Sequence, residues 1–272
     1  MDLSLHLVSD LDGTWIPTKG ETPSLRSLEN YLTNLHGLTL TFATGRTLHS
    51  AVTDLSSIVR LWPTYFVTDV GTAIYRRTAK GKWIEDTEYA RRLNSIWDQD
   101  AAERISQSLP EGIRQQPGLR VRRRLALEVL PGFDLQQAAE ELSNQLVKAG
   151  FAGDVLPSNG CCLDVLPKGV DKGTAVDYLD IRLPPPSFLM VCGDSENDLG
   201  MFRKADMAVV MADSPLKMEA IDVPISRLIR PRAPGPAGIL EVLYNMRSQG
   251  ISGGLQRAPI LHSGTENTGG VS

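Results

Sequence analysis

VSDLDGTW, residues Val8–Trp15, sets two carboxylates, Asp10 and Asp12, one residue apart at the end of an apolar run that begins at Leu3. A run of that composition reads as a buried strand, so acids at its end call for a partner the strand does not supply. Four further runs of strand length, 38–46, 64–69, 188–194 and 208–213, complete a set with 5–10. Runs 5–10 and 38–46 are followed by helical spacing: Leu25, Leu28, Leu32 and Leu35 over 24–36, then Leu48, Val52, Leu55 and Ile58 or Val59. Strands alternating with helices predict an α/β fold with a Rossmann-like parallel sheet covered on both faces.

In such a sheet, ligands bind just beyond the carboxyl ends of the strands. The residues at those ends are Asp10 and Asp12; Thr44, Gly45 and Arg46; Thr68 and Asp69; and Asp194, Glu196, Asn197 and Asp198. Carboxylates converging on one crevice repel one another unless a cation or a proton intervenes. An all-oxygen set with room for water and phosphate suits Mg²⁺. Alone, Asp-x-Asp-Gly is also ordinary turn chemistry. A calcium loop is excluded by its sixth position, which requires Gly and here holds Trp15 or Leu199.

The 272 residues are 42% apolar and 22% charged, enough for a substantial core plus a smaller module. A net charge of −4 argues against nucleic acid or an anionic membrane as the main partner. No apolar stretch approaches the roughly 18 residues of a membrane span, and a signal-peptide pattern is lacking, which predicts a cytoplasmic protein. Three cysteines, Cys161, Cys162 and Cys192, form no metal or redox spacing, and Cys192 reads as a small core residue.

From about residue 76 the pattern changes to a polar hairpin, an acidic helical segment, an alternating stretch GLRVRRRLALEVL, a helix over 135–150 and a short strand CLDVLP. This predicts an inserted α+β module over 79–168 between core segments 1–78 and 169–248. The remainder, 249–272, is rich in Gly, Ser, Thr and Asn and predicts a mobile tail.

Asp10-Leu11-Asp12-Gly13-Thr14, then Thr44, then Lys172, then Gly193-Asp194-Ser195-Glu196-Asn197-Asp198 resemble the four ordered motifs of the haloacid dehalogenase superfamily. VSDLDGTW, FATGRTLHSA, VTDVGTAIY, LDVLPKGVDKGTAV and VCGDSENDLGMF together resemble the sucrose-phosphate phosphatase family, including bacterial relatives acting on other phosphorylated disaccharides. The inserted module is then similar to the specificity cap of sugar-phosphate phosphatases.

The resemblance implies roles. Asp10 is the nucleophile that forms an aspartyl-phosphate, and Asp12 the acid and base. Mg²⁺ is held by Asp10, the Asp12 backbone carbonyl and Asp194, with Asp198 orienting its waters, as Asn197 or Ser195 could also do. Lys172 supplies a positive charge, and Thr44 with N–H groups near Gly13 and Gly45 binds phosphoryl oxygens. Lys168 is a rival for the lysine role, but only Lys172 is followed by Gly173 and a helix-like run. Arg46 and Asp69 either touch ligand or serve as an ion pair and a turn. Asp164, with Asn197, belongs to the expected substrate-binding set.

The implied substrate is a phosphorylated sugar, most simply sucrose 6-phosphate, with a sucrose-phosphate synthase-like enzyme as a further partner. Mannosylfructose phosphate, a glycosyl-3-phosphoglycerate, phosphomutase chemistry and a silent module assisting a glycosyltransferase are alternatives. Two features depart from the family. Cys161 and Cys162 stand where a polar residue and Asp are usual. In Arg120, Arg122, Arg123 and Arg124, a strand would put Arg123 on one face and the others opposite; that run is either a solvated edge or a face matched to an anionic leaving group.

Overall fold

Period-two burial organises the larger of two sheets. Leu7, Leu40, Phe42, Met190, Cys192, Met207 and Val209 pack on one face, while Val8, Ala43, Leu189, Val191, Ala208 and Val210 pack on the other. Both faces are apolar because helices cover both, as the parallel topology requires. The computed structural model describes residues 4–16, 22–158, 160–184 and 187–248. The tail expected from residue 249 lies outside the described residues.

The chain runs through β1 (Ser4–Ser9), α1 (Thr22–Thr33), β2 (Leu38–Ala43), α2 (Leu48–Leu55), β3 (Tyr65–Thr68), β4 (Ala73–Arg77), β5 (Trp83–Glu85), α3 (Thr87–Asn94) and α4 (Gln99–Ser106). It continues with β6 (Ile113–Gln115), β7 (Leu125–Val129), α5 (Leu135–Lys148), β8 (Gly153–Ser158), β9 (Cys162–Pro167) and α6 (Lys172–Asp180). Last come β10 (Ser187–Gly193), α7 (Leu199–Lys204), β11 (Met207–Val210), β12 (Leu228–Ile229) and α8 (Gly235–Ser248). The larger sheet has the order β12-β11-β10-β1-β2-β3-β4-β5, parallel from β12 to β3 and antiparallel thereafter. Strand β1 therefore lies inside it, between β10 and β2.

The smaller sheet, β6-β7-β9-β8, is antiparallel throughout. Leu125, Leu127, Val129, Leu163 and Val165 face α4 and α5 and join Leu142 and Leu146 in a separate core. Trp97 and Phe151 add an edge-to-face pair at 5.3 Å. By alternation, Cys162 and Asp164 leave the other face of β9, away from those helices.

Three expectations change. The insertion was placed from residue 79, yet β5 pairs with β4 in the larger sheet and Tyr89 and Leu93 of α3 pack in its core. Apolar packing on the larger sheet, which local pattern does not report, claims those residues. Arg120–Arg124 do not form a strand; β7 starts only at Leu125. Arg123 sits at φ +59, which breaks any ladder there. The third is β8, a strand that local pattern does not predict, since it starts at Gly153 and contains Pro157. Among the described residues, no helix is long and apolar enough to cross a membrane.

Phe66 touches Phe42 at 5.8 Å and Trp83 at 4.7 Å between ring centroids, and it is fully buried. Phe66→Ala is expected to lower the unfolding free energy by about 3–5 kcal/mol, through lost burial and a residual cavity. Urea denaturation would register it as a lower midpoint at unchanged slope; a loss below about 1 kcal/mol would contradict this packing.

Candidate active site

The first strand delivers its acids through a tight turn. Asp10 N–H donates to the Cys192 carbonyl (2.9 Å), Ile16 N–H to Leu11 (2.7 Å) and Gly13 N–H to Ile16 (3.1 Å). Gly13 has φ +77, and a Cβ there would run into the Asp194 carboxylate, so only glycine serves. Asp10 is buried, whereas the Asp12 side chain is 56% exposed.

Helix α6 delivers the cation. Asp171 caps it in a reciprocal box with Thr174, which places Lys172 at its first residue. Gly173 lies against the Gly200 backbone, where any side chain would clash. The Lys172 side chain is fully buried and its three protons go to Asp10 Oδ1 (2.7 Å), Asn197 Oδ1 (2.8 Å) and Asp198 Oδ1 (2.8 Å). Asp198 Oδ2 accepts from the N–H groups of Asp194 (2.9 Å) and Ser195 (3.1 Å), which fixes the loop after β10. Ser195 Oγ donates to Asn197 Oδ1 (3.1 Å). Lys168 is exposed and pairs with Asp154, away from these acids.

Burial would lower the Lys172 pKa, but the charges and hydrogen bonds of Asp10 and Asp198 outweigh it and raise it. Lys172 is an ammonium. Burial, with Asp198 and Asp194 nearby, pushes Asp10 up against the pull of Lys172. Asp194 is pushed to about 7, first by burial and then by Asp198. Ligand atoms of Asp10, Asp194 and Asp198 lie within 4.8 Å of one another. One lysine thus leaves this cluster with an excess of negative charge, and a hard divalent cation fits such an oxygen donor set.

The Asp12 carboxylate lies outside that cluster. Arg46 holds it through Nε (2.7 Å) and Nη2 (2.5 Å) and turns Nη1 to Asp54. Thr44 is buried, and its Oγ1 accepts from Arg46 N–H (3.1 Å). Asp69 and Val70 follow at φ +53 and +57, a strained turn tied to the Thr44 loop by Asp69 N–H to Arg46 O (3.0 Å) and Val70 N–H to Thr44 O (3.2 Å).

The smaller sheet supplies the roof of a cleft of about 300 Å³, lined by Asp10, Asp12, Arg46, Asn197, Asp164 and Arg124 among others. Arg124 donates to Asp164 Oδ1 (2.6 Å) and to the Gly45 carbonyl (2.6 Å), and lies 3.8 Å from Asp69 Oδ1. The expected site residues Asp10, Asp12, Gly45, Arg46, Asp164, Asp194 and Asn197 all line this cleft. Lys172 and Asp198 lie beneath it, Thr44 adjoins it, and Asp69 stands behind Arg124. Arg124 and Asp54 were not foreseen as site residues. The arginine run was the signal for the first; nothing in the pattern pointed to the second. Neither alternative read from the run describes Arg123 and Arg124, which are 4% and 6% exposed and ion-paired; Arg120 and Arg122 are exposed. Cys162 also lines the cleft, its thiol pushed to about 11 by burial and by Cys161, so it stays neutral.

A family model described as Sucrose-6F-phosphate phosphohydrolase matches residues 3–245. Probable sucrose-phosphatase 2 of Arabidopsis thaliana is 29% identical over 220 residues, which cover 77% of this chain and 50% of the plant protein. The chain therefore spans about half the length of the curated plant relatives it matches. Mannosylfructose-phosphate phosphatase of Agrobacterium fabrum is 26% identical over 245 residues, 87% of this chain and 94% of that protein. The crystal structure of the Synechocystis sucrose-phosphatase in complex with sucrose and phosphate aligns with a TM-score of 0.77 at 28% identity, covering 90% of this chain and 98% of that one.

Asp69 yields a direct electrostatic test. Burial raises its carboxyl from 3.8 to about 6, against the pull of Arg124 and the Thr68 hydroxyl. A raised acid contributes stability below its unfolded value and loses it as pH rises through the folded one, so its contribution declines between about pH 4 and pH 6. Carbon-detected NMR titration, assigned with Asp69→Asn, is expected to give a midpoint near 6. A midpoint near 3.8 would contradict this environment.

Proposed function

The chain belongs to the sucrose-6F-phosphate phosphohydrolase family, and from that premise we propose that it is a phosphoric monoester hydrolase for a phosphorylated neutral disaccharide, sucrose 6-phosphate first. The observation that carries this reading is the buried Lys172 ammonium bonded at once to Asp10, Asn197 and Asp198 at the floor of the cleft. Such a group fixes one oxygen of Asp10 and keeps a positive charge where phosphoryl charge would gather.

In this mechanism Asp10 Oδ2, which accepts no hydrogen bond among the described residues, attacks phosphorus in line with the sugar oxygen. The new O–P bond forms as the P–O bond to the sugar breaks, giving an aspartyl-phosphate. Asp12 gives its proton to the departing sugar oxygen, then takes one from the water that cleaves the intermediate. To make both transfers Asp12 must leave Arg46, which stays matched by Asp54. Thr44 donates to a phosphoryl oxygen. Mg²⁺, held by Asp10, Asp194 and the Asp12 backbone carbonyl with Asp198 behind, would neutralise charge on the phosphoryl oxygens. A sucrose-phosphate synthase-like enzyme is the partner this reading implies, in the cytoplasm.

The charges around the cleft favour a neutral leaving alcohol. Its two arginines are already matched, Arg46 by Asp12 and Asp54, Arg124 by Asp164 and Asp69. A glycerate carboxylate would find no unmatched cation among the cleft residues. Mannosylfructose phosphate stays as the second substrate, on the near full-length match to its phosphatase.

With Mg²⁺, the purified chain is expected to release phosphate from sucrose 6-phosphate at least about tenfold faster than from glucosyl-3-phosphoglycerate at equal low concentration. The reverse order would remove the neutral-sugar reading. Asp10→Asn should lower kcat by about a thousandfold or more, and full activity in that variant would sink the nucleophile assignment. Asp194→Ala is expected to move the Mg²⁺ titration of activity to higher concentration; an unchanged curve takes Asp194 off the ligand set.

A further inference from the structure

Two consecutive arginines leave the smaller module and end on the larger one. Arg123 pairs with Glu85 of β5 and donates to Ala90 O (3.4 Å) and Asn94 Oδ1 (3.4 Å) of α3. Arg124 donates to the Gly45 carbonyl (2.6 Å), while its Nε holds Asp164 of β9 (2.6 Å). Between them the backbone at Arg123 adopts φ +59, a strained conformation for a residue with a side chain, which persists only where its surroundings impose it.

The consequence runs through one peptide plane. The Gly45 C=O and the Arg46 N–H belong to the same planar trans unit and point in opposite directions. Arg124 holds the carbonyl, so the N–H is aimed away from it, and that N–H donates to Thr44 Oγ1 at 3.1 Å. With its oxygen engaged as an acceptor, the Thr44 hydroxyl has its own proton left to give. A guanidinium is suited to this position because its rigid fork serves Asp164 and Gly45 at once; an ammonium is a point charge and cannot reproduce the fork.

We propose that Arg124 is a positioning residue: by gripping the Gly45 carbonyl it orients the 44–46 peptide so that Thr44 donates to a bound phosphoryl group, and Arg123 anchors the segment that carries it. The inference rests on the phosphatase reading for the role of Thr44. Its effect is on phosphate recognition and not on the identity of the sugar.

The test is inorganic phosphate binding by calorimetry in the presence of Mg²⁺, which needs no turnover. Arg124→Lys is expected to bind phosphate about tenfold more weakly than the unmodified chain. Thr44→Val should weaken binding by a similar factor, and the two together no more than the larger single loss, the non-additivity expected of residues acting through one contact. Circular dichroism melts check that each variant is folded. A folded Arg124→Lys that binds phosphate like the unmodified chain, or losses that simply multiply, would overturn the proposal. Should Arg124→Lys fail to fold, Arg124→Gln with Asp164→Asn removes the buried charge pair together, and the same comparison decides. Phosphate binding that follows this pattern in a chain releasing no phosphate from any sugar phosphate would overturn the hydrolase reading and leave the clamp standing. No phosphate binding by the unmodified chain would overturn both.

Discussion

The Lys172 ammonium balances carboxylates brought from separate parts of the chain, and the site depends on that balance. An isolated buried ammonium costs several kcal/mol in desolvation, so it is stable only where acceptors meet all three of its protons. Asp10, Asn197 and Asp198 do so. The same geometry constrains the acids, since Asp198 could not hold two backbone amides and face Asp10 without a cation between them. Attraction to Lys172 wins over its desolvation, yet repulsion among the carboxylates is only partly relieved. That residual imbalance is an acidic cluster of Asp10, Asp194 and Asp198, whose ligand atoms lie within 4.8 Å of one another.

Around this centre the two sheets divide the chemistry. The larger sheet brings strand ends and a helix start to one edge, where polar groups are fixed by backbone hydrogen bonds. The smaller sheet offers the polar face of β9, with Cys162 and Asp164, and closes the cleft through Arg124. Arg124 ties the two layers there through its bonds to Asp164 and to the Gly45 carbonyl. That roof presents a neutral thiol at Cys162 and an arginine already matched by acids.

Most of the larger sheet was legible because burial on both faces leaves continuous apolar runs, and the runs 5–10, 38–46 and 188–194 ended in polar residues that line the cleft. Local pattern misjudged the edge of the insertion. Trp83, Tyr89 and Leu93 belong to the larger sheet through long-range packing, and no short window reports that. The arginine run misled for a related reason. Charge and alternation suggested a solvated strand, but Arg123 and Arg124 find carboxylates from β5, β9 and the turn after β3, partners far apart in sequence. Asp54 joined the site without any signal, since its partner Arg46 lies eight residues away across a loop and the start of α2.

The inner position of β1 bears on how the chain reaches its fold. Its register partner Ser4↔Ser187 means that one neighbour of the first strand is made only after about two thirds of the sequence. At about 5–20 residues per second, the edge of β1 facing β10 waits roughly 10–40 s during synthesis. Until then an apolar strand carries an open edge, the kind that recruits other chains. Early pairing with β2, from residue 38, and cover by α1 protect one side only. Yield in cells should therefore respond to translation speed and chaperone supply more than equilibrium stability would suggest, and truncations before β10 should aggregate where chains that include it do not.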